Sequence, residues 1–251
     1  MIALTRTLAW SYNPRVSVPN SSRSRIAVLA SGGGSNLQAL IDHFTALGAQ
    51  RAGDVVLVAT DREEAPALHR AQAAGIEALA LNANARTTGL LHELATRGVM
   101  HVVLAGYLQL VPLDVVHAFR GRIVNVHPAL LPAFGGRGMY GERVHSAVLA
   151  SGARISGPTV HFVDEVYDHG AIIAQWPVPV APNDSTASLA ARVLAVEHLL
   201  YPRVVHAVCC GRIRLSDNGG VTGVPPLESA AAFSMGDYVR LRQSLDQWLG
   251  T

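Results

Sequence analysis

This chain of 251 residues contains no lysine; all 20 of its basic residues are arginine. That absence excludes a Schiff-base or pyridoxal-phosphate lysine, and with it the lysine of a nucleoside-triphosphate P-loop. Cysteine is nearly missing as well. Its two copies, Cys209 and Cys210, are adjacent, which suits neither a loop-closing disulfide nor a four-ligand zinc pattern and fits a reducing cytoplasm. Charged residues make up 15% against 49% hydrophobic, which argues against extensive disorder. No apolar run approaches the ~20 residues needed to span a bilayer, so no membrane partner is expected. The net charge of +2 is mildly basic, yet the arginines are scattered without interleaved aromatics, and nucleic acid is not an expected partner either.

What is present is organised in three parts. Residues 1–24 hold Arg, Ser, Asn and Pro and no acid, a composition shared by organelle transit peptides and plain disordered leaders. Poor amphipathic spacing, broken by Pro14 and Pro19, favours the plain leader. From Arg25 the apolar runs at 26–30, 55–59, 78–81, 102–104 and 123–126 alternate with helical stretches. This rhythm predicts a doubly wound α/β fold around a mostly parallel sheet, with ligands bound beyond the carboxyl ends of its strands. A glycine-rich loop at 133–141 leads into a helix from Gly141 to Gly152. Two longer strands, 155–163 and 172–180, are expected to form a late antiparallel hairpin through the turn DEVYDHG. Ser185 then starts a long helix through His206. The catalytic domain is placed at 25–215, followed over 216–251 by a Gly/Pro-rich linker and a helix from Gly236 to Leu249.

Three local features carry chemistry. In RIVNVHPALLP, residues 122–132, period-2 alternation puts Asn125 and His127 on one side of a strand and Val126 on the other. A neutral donor and a titratable base then face one small volume. The plainer alternative is a strand end whose His satisfies a loop carbonyl. In SGGGSNL, residues 31–37, glycines open the backbone N–H groups at a helix start, which suits an anion. Leu37 stands where a dinucleotide fingerprint has its third glycine, so one phosphate fits better than a pyrophosphate. Ser35 and Asn36 add side-chain donors. Asp168 lies in the turn before Gly170, and a carboxylate beside a His and an Asn would complete a set of base, proton carrier and oxyanion donor. Most turn aspartates merely cap their own backbone.

Taken in order, SGGGSNLQAL, LAGYLQLVP at 104–112, NVHPALLPAF at 125–134, TVHFVDEVYDHGAII at 159–173 and RVLAVEHLLYP at 192–202 resemble the phosphoribosylglycinamide formyltransferase family across residues 25–215. The resemblance implies a Rossmann-like sheet and direct transfer of the formyl group of 10-formyltetrahydrofolate, as co-substrate, to the amine of glycinamide ribonucleotide in purine biosynthesis. It implies neither a metal nor a covalent intermediate. By the same carry-over Asn125, His127 and Asp168 are catalytic, with Asp168 holding His127 charged. Gly34, Ser35 and Asn36 take the substrate phosphate, and Glu197 takes the ribose hydroxyls. Leu108, Gln109, Val111 and the backbone from Asp164 to Asp168 serve the pterin, and Arg86 the glutamate carboxylate of the folate. Two departures stand out: Gln109 occupies a place that is usually basic, and Arg137 one where relatives carry lysine.

Three other readings compete. A methionyl-tRNA formyltransferase needs a further C-terminal domain for which 216–251 is too short. A formyltetrahydrofolate hydrolase is expected to carry a regulatory domain ahead of the first strand and a second His where Pro128 stands. A nucleotide-binding oxidoreductase would use SGGGSN together with Asp61 at the end of the second strand, but it leaves Asn125 and His127 unexplained. The expected partners are therefore the two small molecules, in the cytoplasm, with a homodimer among the assemblies left open.

Overall fold

The computed structural model of the chain describes residues 23–81 and 89–224. Residues 1–22 of the expected leader, Arg86 and the C-terminal helix expected at 236–249 lie outside the described residues, and Ser24, expected to end the leader, opens the first strand.

The chain enters on β1 (Ser24–Ala30), turns through the glycines into α1 (Ser35–Leu47), and continues as β2 (Gly53–Thr60), α2 (Pro66–Ala73) and β3 (Glu77–Ala80). After α3 (Leu90–Thr96) come β4 (His101–Leu104), α4 (Leu113–Ala118) and β5 (Ile123–His127). The later part holds α5 (Glu142–Ala150), the short β6 (Ile155–Ser156), β7 (Thr159–Phe162), β8 (Ile172–Gln175) and β9 (Val178–Pro179). It ends with α6 (Thr186–Cys209) and a two-strand ribbon of β10 (Arg214–Leu215) and β11 (Val221–Thr222).

Seven strands form one sheet in the order β3-β2-β1-β4-β5-β7-β8, parallel from β3 to β5 and antiparallel at β7 and β8. Both faces are covered, which is why β1 reads as an unbroken apolar run rather than an alternating one. Ile26, Val28 and Ala30 pack towards α1, α2 and α6, while Ala27 and Leu29 pack towards α3 and α4. The strand order reverses between β1 and β4, and open α/β sheets bind ligands at such a point. There the two exits are tied together: Ser31 N–H donates to the Gly106 carbonyl at 3.1 Å, and Leu108 N–H to Ser31 Oγ at 2.9 Å.

The two long late strands are each broken. Gly157-Pro158 divides β6 from β7 and Trp176-Pro177 divides β8 from β9, because proline cannot donate to a central ladder. A Cβ on Gly157 would sit 1.8 Å from the Trp176 carbonyl oxygen, so only glycine permits this crossing. The outer pieces, β6 and β9, pair with each other in a separate two-stranded sheet. Ser185 caps α6 through a reciprocal pair, its Oγ accepting from Ser188 N–H at 3.1 Å and its N–H donating to Ser188 Oγ at 2.9 Å. Among the described residues no helix is long and apolar enough to cross a membrane.

Candidate active site

The strand alternation brings Asn125 and His127 together at the carboxyl end of β5, and the turn after β7 carries Asp168 to them. Asp168 Oδ2 lies 3.4 Å from His127 Nδ1, and Asp168 Oδ1 accepts from Asn125 Nδ2 at 3.4 Å. Asp168 adopts φ 55, a left-handed conformation that Asp tolerates better than most side chains. Gly170 makes the turn this close: a Cβ there would meet the Phe162 carbonyl oxygen at 2.0 Å. Gly136 N–H donates to Asp168 Oδ2 at 2.9 Å, so the glycine-rich loop helps to seat the carboxylate. Behind His127, the Thr159 hydroxyl donates to the Ala129 carbonyl at 2.6 Å and accepts from Leu131 N–H at 3.0 Å, fixing the PALLP exit.

His127 also satisfies a loop carbonyl, as the plainer alternative requires: its Nε2–H donates to Phe134 O at 2.8 Å. Both readings of this residue therefore hold at once. With Nε2 donating, Nδ1 is the nitrogen that meets Asp168, and only the imidazolium fully satisfies both contacts. Burial opposes that charge. It pushes His127 below its ordinary value, and the Asp168 carboxylate and the Phe134 carbonyl recover only part of the loss. Burial thus works against the expectation that Asp168 keeps His127 charged and favours the neutral imidazole at rest. For Asp168 itself burial acts upward but is outweighed by nearby His161, His127 and the Gly136 N–H, which hold the carboxyl below its usual range.

His161 was missed by the sequence reading. It sits directly opposite Asn125 across the β5–β7 ladder, and its Nε2 accepts from Asn125 Nδ2 at 3.1 Å while its Nδ1–H donates to Phe162 O at 2.7 Å. It fixes the amide so that Nδ2, not Oδ1, faces the carboxylate. The available signal was the histidine in TVHF, which becomes informative only once β7 is known to lie against β5. His145 on α5, 4% exposed, is a second missed residue, and it lines the same cavity.

That cavity, about 600 Å³, is lined by Asn125, His127 and Asp168 together with Asn36, Leu108 and Glu197. Gly34, with φ 71, caps α1, and Ser35 opens that helix beside the cavity. Asn36 does not offer its amide to a phosphate as expected, because Nδ2 donates to Glu197 Oε2 at 2.6 Å in a buried contact. Glu197 is enclosed enough that burial pushes its carboxyl up to about 7, only partly offset by Asn36. The remaining expected residues lie elsewhere. Val111 is buried in the core beneath α4, and Asp164 braces its own turn by accepting from Val166 N–H at 2.9 Å and pairing with His169 at 2.8 Å. Gln109 Nε2 donates to Asp61 Oδ2 at 3.0 Å, which occupies the acid that a dinucleotide ribose would need.

An amide donor, a buried imidazole and an ionised carboxylate at the carboxyl edge of a doubly wound sheet, beside a glycine-rich helix start, define an enzyme of acyl-type group transfer to a phosphorylated acceptor. Over residues 24–205 the chain matches the formyl transferase family. It is 47% identical over 204 residues to phosphoribosylglycinamide formyltransferase, chloroplastic, of Arabidopsis thaliana, covering 78% of this chain and 69% of that one. Identity to its namesake from Vigna unguiculata is 45% over 213 residues, covering 82% and 66%. Among solved structures, glycinamide ribonucleotide transformylase 1 from Symbiobacterium toebii superposes with a TM-score of 0.72 at 38% identity, covering 80% of this chain and 93% of that one. The chain belongs to the formyl transferase family, among its phosphoribosylglycinamide formyltransferases.

Proposed function

We propose that this enzyme transfers the formyl group of 10-formyltetrahydrofolate to the amine of glycinamide ribonucleotide in purine biosynthesis. The observation that carries the reading is the convergence of Asn125, His127 and Asp168 on one cavity that also reaches Glu197 and the start of α1. The acceptor amine attacks the formyl carbon, a C–N bond forms, and the carbonyl electrons move onto oxygen. Asn125 Nδ2 exchanges its long contact with Asp168 for this oxyanion, while its bond to His161 keeps the amide in place. The proton released from the amine passes to His127, directly or through water. The imidazolium is thereby formed beside Asp168 at the moment negative charge appears on the substrate, so its stabilisation is confined to the intermediate and the transition states around it. Collapse breaks the bond to the folate nitrogen, which takes up a proton as it leaves.

A cytoplasmic site of action is part of this reading, supported by the free thiols of Cys209 and Cys210. The deciding assay follows 10-formyltetrahydrofolate consumption with glycinamide ribonucleotide and with water alone as acceptor. Turnover that requires the ribonucleotide is expected; equal turnover with water alone would make the protein a hydrolase.

A further inference from the structure

None of the cradle's own residues, 31–37, is cationic, and the arginines that line the adjoining cavity are Arg137 and Arg143. There is no lysine in the chain, and the Asn36 amide is committed to Glu197. The backbone N–H groups of Gly33, Gly34, Ser35 and Asn36 have no acceptor among the described residues, and the positions a Cβ would take on Gly32 and Gly33 are open. These N–H groups serve an anion only if their peptide planes are turned the right way.

α2 sets those planes. Ala67 N–H donates to the Gly32 carbonyl at 3.2 Å, and Arg70 Nε–H donates to the Gly33 carbonyl at 2.8 Å. In a trans peptide the carbonyl and the following N–H point to opposite sides. Drawing the carbonyls of Gly32 and Gly33 onto α2 therefore turns the N–H groups of Gly33 and Gly34 away from it. Arg70 is held over the loop from a second side by Nη1–H donating to Gln38 Oε1 on α1 at 3.2 Å. Its Cδ would lie 3.3 Å from a Cβ on Gly34, so the side chain lies along the loop backbone. Nη2 makes no hydrogen bond among the described residues, which leaves the guanidinium charge beside the cradle uncompensated.

We propose that Arg70 is a positioning residue for the substrate phosphate: it locks the Gly33–Gly34 peptide with its N–H turned to receive the anion and adds a cation beside the cradle. This rests on the ribonucleotide reading above. Substitution should act on the phosphorylated substrate and leave the formyl chemistry alone.

Arg70→Met is expected to raise the KM for glycinamide ribonucleotide ~10-fold, about 1.4 kcal/mol. The inhibition constant of inorganic phosphate should rise by the same factor, with kcat and the KM for 10-formyltetrahydrofolate within ~2-fold of the parent. Arg70→Lys keeps the charge but not the planar two-nitrogen grip and should recover only part of the loss. An unchanged ribonucleotide KM, an equal rise in both KM values, or a fall in kcat alone would overturn the proposal. Calorimetric titration of parent and Arg70→Met with inorganic phosphate reads the same effect without turnover. A parent enzyme inactive on glycinamide ribonucleotide would sink the functional reading, whereas equal phosphate affinity in the two proteins would sink the role of Arg70.

Discussion

At the scale of single residues, the site works because environments push protons apart. Burial disfavours the charged form of His127, which suits it to accept the amine proton, as a permanently charged imidazole could not. The sign of its pH dependence follows. kcat should hold level above neutrality and fall as pH drops below the ordinary histidine range, where His127 becomes protonated before the reaction begins. A stopped-flow or steady-state pH profile checks this, and a kcat that instead declines as pH rises from 6.5 to 7.5 would restore the charged resting state. His127→Ala should lower kcat ~10²-fold or more with both KM values nearly unchanged. Glu197 gives a second titration. Its unfolded counterpart ionises near 4.5 and the buried carboxyl near 7, so between these values the folded chain binds the extra proton and stability falls as pH rises. The loss amounts to about 3 kcal/mol at most. Glu197→Gln should therefore melt several degrees above the parent at pH 8 and close to it at pH 4.5, while weakening ribonucleotide binding. Identical melting differences at both pH values would show that Glu197 is not held protonated. Asn125 and His127 were legible from alternation alone, since the pleat places them on one side. Asp168 was not, because its approach depends on Gly170 and on the β7–β8 turn, long-range features that no local pattern encodes.

At the scale of elements, α6 is the longest helix among the described residues, since it spans 24 residues, and it carries Glu197 into the cavity. Its start is held by the Ser185–Ser188 pair and by Arg192, which bonds Asp184 at 2.7 and 2.8 Å. Ser185→Ala should cost about 1 kcal/mol, a drop of about 2–4 °C in Tm for a domain of this size. kcat and both KM values should stay at parent levels, because the cap is three turns from Glu197; a changed ribonucleotide KM would show that the cap also aligns the site. The start of α1 and the boundaries of α5 and α6 were readable to within a few residues from glycine and serine punctuation. The two late strands were read as continuous because their apolar pattern runs through Gly157-Pro158 and Trp176-Pro177. The prolines carried the contrary signal, which a strand's hydrophobic spacing masks. The side-chain partner of Asn36 was not legible for a similar reason. A motif places it at a helix start, whereas its partner Glu197 is 161 residues away.

At the scale of the whole molecule, the cavity draws on segments far apart in the chain: the start of α1, the β4 exit, the end of β5, the glycine-rich loop and α5, the β7–β8 turn and α6. These segments meet only in the folded chain, so a ligand of this cavity binds the folded state alone and must stabilise it by RT ln(1 + [L]/Kd). At a hundredfold excess over Kd that is about 2.7 kcal/mol, or a rise of roughly 5–10 °C in Tm. Glycinamide ribonucleotide should produce such a rise, and a folate analogue should produce one independently, since the two fill different regions of one site. NAD should produce none: the third glycine of the dinucleotide turn is Leu37, fully buried, and Asp61 is already bonded to Gln109. A melting shift with NAD and none with glycinamide ribonucleotide would turn the glycine loop into a dinucleotide site and leave Asn125, His127 and Asp168 without a substrate.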